Sequence, residues 1–133
     1  MRLKIIFFHT VIYLFISVAT AAQTAVDSLV IGVWKGVSLC QLKNSPCHDE
    51  EVVYHISKTA NPKEFTLLMN KVIKDVEEEM GTLICQFDDK KRELTCSPKP
   101  NTIWNFTVFA KKMTGTLYYN AGLFRIISVT KSL

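Results

Sequence analysis

After its first 22 residues the sequence has no apolar run long enough to cross a bilayer, whose hydrocarbon core is about 30 Å thick. It also has little excess charge: without Arg2 and Lys4, the 16 Lys+Arg become 14, against 12 Asp+Glu. A nucleic-acid-binding protein needs basic residues clustered on one face, and a net charge of +2 gives no sign of that. We therefore predict a soluble protein without nucleic acid as a partner, and without membrane contact once the N-terminal segment is cleaved.

Motifs of catalysis and of structural metal sites are also missing. The sequence has no G-x-S-x-G element, which would expose a nucleophilic serine on a strand-to-helix turn. Its four cysteines are spaced C-x6-C and C-x10-C, whereas zinc sites use short C-x(2–4)-C pairs. His48, Asp49 and Glu50 are consecutive, and consecutive side chains of an extended chain alternate sides, so they do not converge on one ion. We predict no enzyme activity, no metal and no cofactor.

The N-terminal 22 residues have the features of a secretory signal peptide. Two basic residues precede an apolar run from Ile5 to Val18, and small residues then suit cleavage after Ala21 or Ala22. An uncleaved membrane anchor is the alternative, because the run is almost long enough to span a bilayer. The chain is thus divided into a signal peptide, 1–22, and one domain, 23–133, which is secreted or periplasmic.

The cysteines fit disulfide bonds in such an exported protein. Their order favours two local pairs, Cys40–Cys47 and Cys85–Cys96. For the second pair, a hairpin centred on residues 90–91 sets Cys85 opposite Cys96 on antiparallel strands, within bonding reach. Each bridge is expected to stabilise the fold by about 2.5–3 kcal/mol.

Short alternating apolar runs, separated by turn residues, recur along the rest of the chain, as is typical of a β-sandwich or barrel. The first run is Leu29–Cys40. Near the C-terminus, Trp104, Phe106 and Val108 share one face of a predicted strand. Asn105, the acceptor of an N-x-T glycosylation sequon, lies on the other face.

The segment 61–80 fits two interpretations. Its apolar residues have helical spacing, with Asn61 suited to the N-cap and Gly81 to the stop. Alternatively, it forms two strands that turn at Lys74 and Asp75. The strands are favoured, because six strands would leave two wide sheet edges whereas eight can close the sheet. The predicted fold is all-β, an eight-stranded antiparallel up-and-down barrel, and a helix over 61–80 stays open as the alternative.

The stretch Gly32-Val33-Trp34, with a last strand that carries Arg125, resembles the lipocalin or calycin superfamily of small barrels. The overall pattern is also similar to small exported lipocalin-like proteins of bacteria. In that superfamily the G-x-W tryptophan closes one end of the barrel and a late arginine stacks across it. The resemblance therefore implies a barrel-end pair of Trp34 and Arg125, with a cation–π contact worth about 0.5–2 kcal/mol.

An eight-stranded barrel is just wide enough to be filled by its own side chains or to hold one small ligand. The alternation gives eight candidate lining residues: Trp34, Tyr54, Phe65, Phe87, Trp104, Phe106, Met113 and Leu117. We expect a non-enzymatic exported binding protein that holds a small apolar ligand in this lumen. The alternative is a protein-interaction or inhibitor module that presents the disulfide-closed loop 41–48 to a partner protein, since a tethered loop loses less entropy on binding.

Overall fold

The computed structural model describes residues 20–133 as one α-helix followed by eight β-strands. The helix, α1, spans residues 20–30. The strands are β1 Gly32–Cys40, β2 Glu50–Lys58, β3 Glu64–Ile73, β4 Val76–Asp88, β5 Glu93–Lys99, β6 Thr102–Phe109, β7 Lys112–Tyr119 and β8 Gly122–Lys131. Most of the predicted signal peptide, residues 1–19, lies outside the described residues. Within residues 20–133, no helix is both long and apolar enough to cross a membrane.

The strands form a closed barrel in which each pairs antiparallel with its neighbours in sequence. The last strand, β8, completes the barrel by pairing with β1. The predicted all-β, eight-stranded up-and-down barrel is therefore confirmed. Closure gives every described strand two hydrogen-bonded partners and so removes the sheet edges that would otherwise pair with other chains.

Alternation along each strand separates the barrel interior from its surface. On β6, for example, Trp104, Phe106 and Val108 are buried while Asn105 and Thr107 are exposed, as predicted. Inward side chains from all eight strands pack into a single apolar cluster. The period of two residues that defines a strand thus places the core inside the barrel.

Residues 61–80 are not helical, so the helical alternative is wrong. They form β3 and the first five residues of β4, and the two strands turn at Lys74 and Asp75 as the strand interpretation predicted. Both turn residues have positive φ, 50° and 62°, as in the two-residue turns that match the twist of a hairpin. Pairing of β3 with β2 and of β4 with β5 includes the segment in the barrel sheet, and this tertiary pairing outweighs its helical spacing.

The first predicted strand, Leu29–Cys40, extends too far towards the N-terminus. The helix α1 continues to residue 30, and β1 begins at Gly32. Gly32 has a φ of 146°, and a Cβ there would lie 2.9 Å from Lys131 Cε, so glycine suits this sharp change of direction. Val30 is fully buried in the barrel core. We call this end of the barrel, where α1 packs, the helix end.

The opposite end, where residues 41–49 connect β1 to β2, is called the loop end. Both predicted disulfides are present, with Cα–Cα distances of 5.9 Å for Cys40–Cys47 and 4.2 Å for Cys85–Cys96. Cys40–Cys47 closes the loop 41–49, whereas Cys85–Cys96 is buried in the core and joins directly opposed residues of β4 and β5. Two disulfides fit an extracellular or periplasmic protein.

Candidate functional site

The barrel lumen contains all eight side chains that the sequence suggested as ligand-lining. Each points into the core cluster, and none is more than 9% exposed. The aromatic rings contact one another: Phe106 lies 6.1 Å, centroid to centroid, from both Trp104 and Tyr54. Phe65 and Phe87 make a further edge-to-face pair at 6.3 Å. These contacts show that five of the eight predicted lining residues pack against one another as aromatic pairs.

Gly115 on β7 shows how closely the middle of the barrel is packed. A Cβ at this position would lie 2.3 Å from Cδ1 of the Phe106 ring and 2.7 Å from the carbonyl oxygen of Asn105. The ring of Phe106 therefore occupies the space that a side chain at 115 would need. A ligand at this level of the lumen would have to displace aromatic side chains that already contact each other.

The helix end is closed by Trp34, but its cationic partner is Lys131 and not Arg125. The Nε1–H group of Trp34 donates a hydrogen bond to Val30 O at 3.0 Å. The ammonium of Lys131 lies 5.1 Å from the Trp34 ring centroid, and it donates to the carbonyl oxygens of Ser28 and Leu29 at 2.7 and 3.1 Å. Burial, followed by the nearby charge of Lys111, lowers the pKa of Lys131.

Arg125 lies at the loop end, so the implied pair of Trp34 and Arg125 is corrected. In the β1–β8 register Arg125 is opposite Cys40, whereas Trp34 is opposite Lys131. Those two positions on β1 are six residues apart, which is about 20 Å along a strand. The guanidinium of Arg125 instead lies 5.6 Å from the centroid of its neighbour Phe124.

Arg125 joins the barrel wall to the connecting loop. Its Nη1 donates at 3.3 Å to the backbone and hydroxyl oxygens of Ser38 and to His48 O. It also pairs with the carboxylate of Glu50 at 3.3 Å, and the two side chains are only 12% and 16% exposed. Solvent screens the Arg125–Glu50 ion pair only weakly because both side chains are largely buried. The pair and the hydrogen bond to His48 O therefore hold the loop against the rim of the barrel.

Tyr54 lies inside the barrel close to this charged pair. Its hydroxyl is buried near Ser38 but is not placed for a hydrogen bond to any described residue. Burial raises the pKa of Tyr54 well above its ordinary value, and the positive charge of Arg125 offsets part of that effect. The phenol therefore stays protonated throughout the physiological range.

The loop 41–49 is fixed by hydrogen bonds as well as by its disulfide. Asp49 Oδ1 accepts from Cys40 N at 2.8 Å, and Gln41 N donates to Phe124 O at 2.9 Å. Residues 48–50 thus have three separate contacts: His48 O and the Glu50 carboxylate bind Arg125, and Asp49 binds the backbone of β1. Within residues 20–133, no group of three His, Cys, Asp or Glu side chains is arranged to hold a metal ion.

The outer surface beside this loop is apolar and uncharged over four neighbouring strands. Exposed apolar side chains from β1, β8, β7 and β6 contribute to it, and Leu42 extends it into the loop. Leu39 is directly opposite Ile126, and Ile103 is directly opposite Tyr118. We call this surface the uncharged face; its residues are Val37, Leu39, Leu42, Ile103, Thr116, Tyr118, Ile126 and Ser128.

Charged and polar groups mark the borders of the uncharged face. Glu51 on β2 is opposite Val37 and limits the face on one side. Asn105, the sequon residue, points outward on β6, where its Oδ1 accepts a hydrogen bond from Thr95 Oγ1 at 3.1 Å. Sequence reasoning did not identify the face, because its members come from four strands and only barrel closure brings them together.

An open cleft of about 740 Å³ lies at the helix end, between α1 and the β4–β5 hairpin. Of the eight predicted lining residues, only Phe87 borders it. The rest of its wall includes Gln23 and Val26 of α1 together with charged residues of the hairpin, such as Asp89 and Lys90. The cleft is therefore a surface feature and is distinct from the predicted ligand cavity.

A polar network on the outer surface joins β2, β3 and β4. Glu77 Oε2 lies 2.7 Å from both His55 Nε2 and Asn70 Nδ2. The hydrogen bond to His55, followed by that to Asn70, lowers the pKa of Glu77. His55 and Glu77 are 22 residues apart, so nothing in the local sequence indicates the contact.

A comparison of the chain with protein-family models found no match, and a comparison with the curated proteins found none either. The fold and the sites described above therefore define the class of this protein: a small, disulfide-bonded, eight-stranded up-and-down β-barrel.

Proposed function

We propose that this protein is an exported interaction module that binds a partner protein through the uncharged face and the adjoining loop 41–49. One observation carries the proposal: apolar side chains of four strands lie exposed beside a loop that is closed by Cys40–Cys47. Contiguous exposed apolar surface of this kind is a feature of protein–protein contact sites. The absence of charge from the face favours a partner whose contact surface is itself apolar.

The rigidity of the loop supports the same proposal. The disulfide, the Asp49 contact with the β1 backbone and the Arg125 contact with His48 O hold the loop before any partner arrives. A binding surface that is already ordered loses less conformational entropy on association. The loop and the barrel wall would then act as one continuous docking surface.

Carriage of a small apolar ligand inside the barrel stays a prediction with less support. The eight side chains that would line the ligand belong to one packed core cluster, and Phe106 packs directly over Gly115. Ligand entry would need these aromatic residues to move out of close contact, at the cost of packing energy.

Membership of the calycin superfamily and export from the cytoplasm are part of this proposal. Superfamily membership is supported by Trp34 of the Gly32-Val33-Trp34 motif, which closes the helix end and carries a cation over its ring. That cation is Lys131, in the place of the expected arginine. Export from the cytoplasm is supported by the two disulfides and by the N-terminal sequence. Catalysis is not part of the proposal.

Site-specific photo-crosslinking in the cells that export the protein tests the interaction. A benzophenone amino acid is placed at Leu42 or at Tyr118, within the proposed surface, and at Ile84 as a control. Ile84 is also an exposed apolar residue, but it lies on β4, away from the uncharged face. We expect the same single adduct from positions 42 and 118, and no such adduct from position 84.

A second variant links that adduct to the apolar face. Leu39→Lys combined with Ile126→Glu places two opposite charges at directly opposed, exposed positions, so the face becomes charged without like-charge repulsion between the strands. The proposal expects this variant to lose the adduct while its thermal unfolding stays near that of the parent protein. Equal cross-linking from position 84, or an adduct that survives both substitutions, would refute the proposal.

A further inference from the structure

Two adjacent turns at the helix end place an exposed aromatic ring among basic side chains. Phe109, the last residue of β6, is 79% exposed. Lys112 is directly opposite Phe109 on β7, and Arg92 lies on its other side, where its carbonyl oxygen accepts a hydrogen bond from Val108 N at 2.9 Å. We call this surface the basic turn surface; its residues are Lys90, Lys91, Arg92, Phe109, Lys111 and Lys112.

The five cations of this surface are exposed and available to a partner. Among residues 20–133, none of them has a carboxylate within 4.0 Å of its side-chain nitrogen atoms. Three acidic residues, Asp88, Asp89 and Glu93, lie in or beside the same turns. Asp88 Oδ1 is already engaged by the backbone N–H groups of Lys90 and Lys91, at 3.0 and 3.1 Å. Five cations against three carboxylates leave the surface with an excess of positive charge.

We propose that the basic turn surface docks the barrel reversibly on an anionic lipid membrane. Phe109 would enter the boundary between headgroups and acyl chains, while Lys111, Lys112 and Arg92 would contact the anionic headgroups. The expectation of no membrane contact rested on the absence of a spanning run and on overall charge, neither of which describes how charge is distributed over the surface. The proposal is independent of the protein-binding function, because the uncharged face lies nearer the loop end.

The exposed phenylalanine distinguishes a lipid surface from an anionic polymer. An anionic polymer without aromatic groups, such as a sulfated polysaccharide, would use the five cations but would leave Phe109 in water, where its ring gains nothing. A bilayer interface accepts both the ring and the charges around it. The surface has this combination on turns that project beyond the barrel, so contact needs no rearrangement of the core.

Vesicle co-sedimentation of the exported protein, processed as its host leaves it, tests the proposal. Large vesicles of phosphatidylcholine and phosphatidylglycerol, at about 7:3, are compared with vesicles of phosphatidylcholine alone. Each basic charge near such a surface contributes about 1 kcal/mol, or about fivefold in partition coefficient. Lys111→Gln with Lys112→Gln should therefore lower binding to the anionic vesicles by about 25-fold. Phe109→Ser should lower it by about tenfold.

Two further variants sharpen the test. Glu93→Gln, which removes an acid beside the turns, should raise binding severalfold. Lys43→Gln with Lys99→Gln removes the same charge from exposed positions at the loop end and should change binding by no more than about twofold, because of screening at that distance. Circular dichroism and thermal unfolding verify that each variant is folded.

Three outcomes would overturn the proposal. Equal binding to both vesicle types would show that the protein inserts without any contribution from lipid charge. An equal loss of vesicle binding in the two double-lysine variants would show a general effect of net charge. A loss caused by the Lys111 and Lys112 substitutions but not by Phe109→Ser would assign the surface to an anionic polymer instead of a membrane.

Discussion

At the scale of single residues, the contact between Phe106 and Gly115 determines how the middle of the barrel is packed. The phenylalanine ring lies where a β-carbon of residue 115 would project, so phenylalanine at position 106 requires glycine at position 115. Sequence periodicity identified Phe106 as inward, but it could not indicate which residue on the facing strand makes room for the ring. That information depends on the β6–β7 register, in which Phe106 is opposite Gly115.

Gly115→Ala should destabilise the protein by about 1–3 kcal/mol, because the added methyl group overlaps the Phe106 ring and the Asn105 carbonyl group. Gly122→Ala is the matched control, since the nearest atom to its Cβ would be Tyr119 O at an ordinary 3.5 Å. Its effect should stay within about 0.5 kcal/mol. Urea unfolding measures both changes. Similar values for the two variants would contradict the packing described at Gly115.

Lys131 is the second residue with a specific role, because it joins α1 to the barrel. Lys131→Met keeps most of the stem over Trp34 but removes the ammonium and its two hydrogen bonds to Ser28 O and Leu29 O. We expect a loss of about 1–2 kcal/mol in the free energy of unfolding. Lys111→Met, at an exposed position nearby, should cost much less. A loss that is no greater for Lys131→Met would mean that its cation does not hold the helix.

At the scale of elements, the hairpins were predicted, whereas the helix was missed although its sequence carries a local signal. The turn at Lys74-Asp75 and the register that opposes Cys85 to Cys96 both follow from residues that are close in the chain. The helix α1 extends over the predicted cleavage site, and only Val26, Leu29 and Val30 give it an apolar pattern. The spacing of these three residues is helical, and it could have indicated the helix.

The cationic partner of Trp34 could not be predicted from sequence spacing. Lys131 and Trp34 meet because β8 pairs with β1, and the register of that closure places Arg125 beside Cys40. A shift of the β1–β8 register along the chain would have changed which basic residue reaches the tryptophan. The resemblance to a known superfamily indicated the kind of contact, and the strand register determined the residue.

The helix is also joined to the barrel by an ion pair that gives a pH-dependent prediction. Lys58 donates a hydrogen bond to Asp27 at 2.6 Å and lowers the pKa of that carboxyl group below 3.8. The folded state therefore favours the ionised form, so the stabilisation is fully present above pH 3.8 and is lost as the pH falls through the lowered pKa.

Asp27→Asn should cost about 0.2–1 kcal/mol at pH 7, as is usual for exposed ion pairs. The difference between parent and variant should shrink as the pH falls below 3.8, where Asp27 becomes protonated in the folded parent as well. Thermal unfolding from pH 7 to pH 2.5 follows this difference. A constant difference over the whole range would exclude the ion pair as its source.

At the scale of the whole molecule, the chemistry of the surface changes from one end of the barrel to the other. The basic turn surface lies at the helix end, whereas the uncharged face and the loop 41–49 lie towards the loop end. Three consecutive glutamates, Glu77–Glu79, also lie near the loop end, at the start of β4. An anionic membrane would thus attract the helix end and leave the proposed protein-binding surface accessible.

The outer surface was the least predictable part of the candidate site. Each strand showed which residues face outward, but only the closed strand order shows that β6, β7, β8 and β1 are consecutive neighbours. The predicted lining residues, by contrast, followed from alternation alone, and all eight are inside the barrel. Alternation could not distinguish a filled lumen from an open one, because that depends on how the rings pack together.

A titration with the apolar fluorophore N-phenyl-1-naphthylamine tests most directly whether the interior of the barrel is available to a ligand. We expect no saturable binding to the folded protein, because Phe106, Trp104 and Tyr54 already pack together between the strands. Saturable binding of one fluorophore per barrel, accompanied by a change in the emission of the buried Trp104, would contradict it.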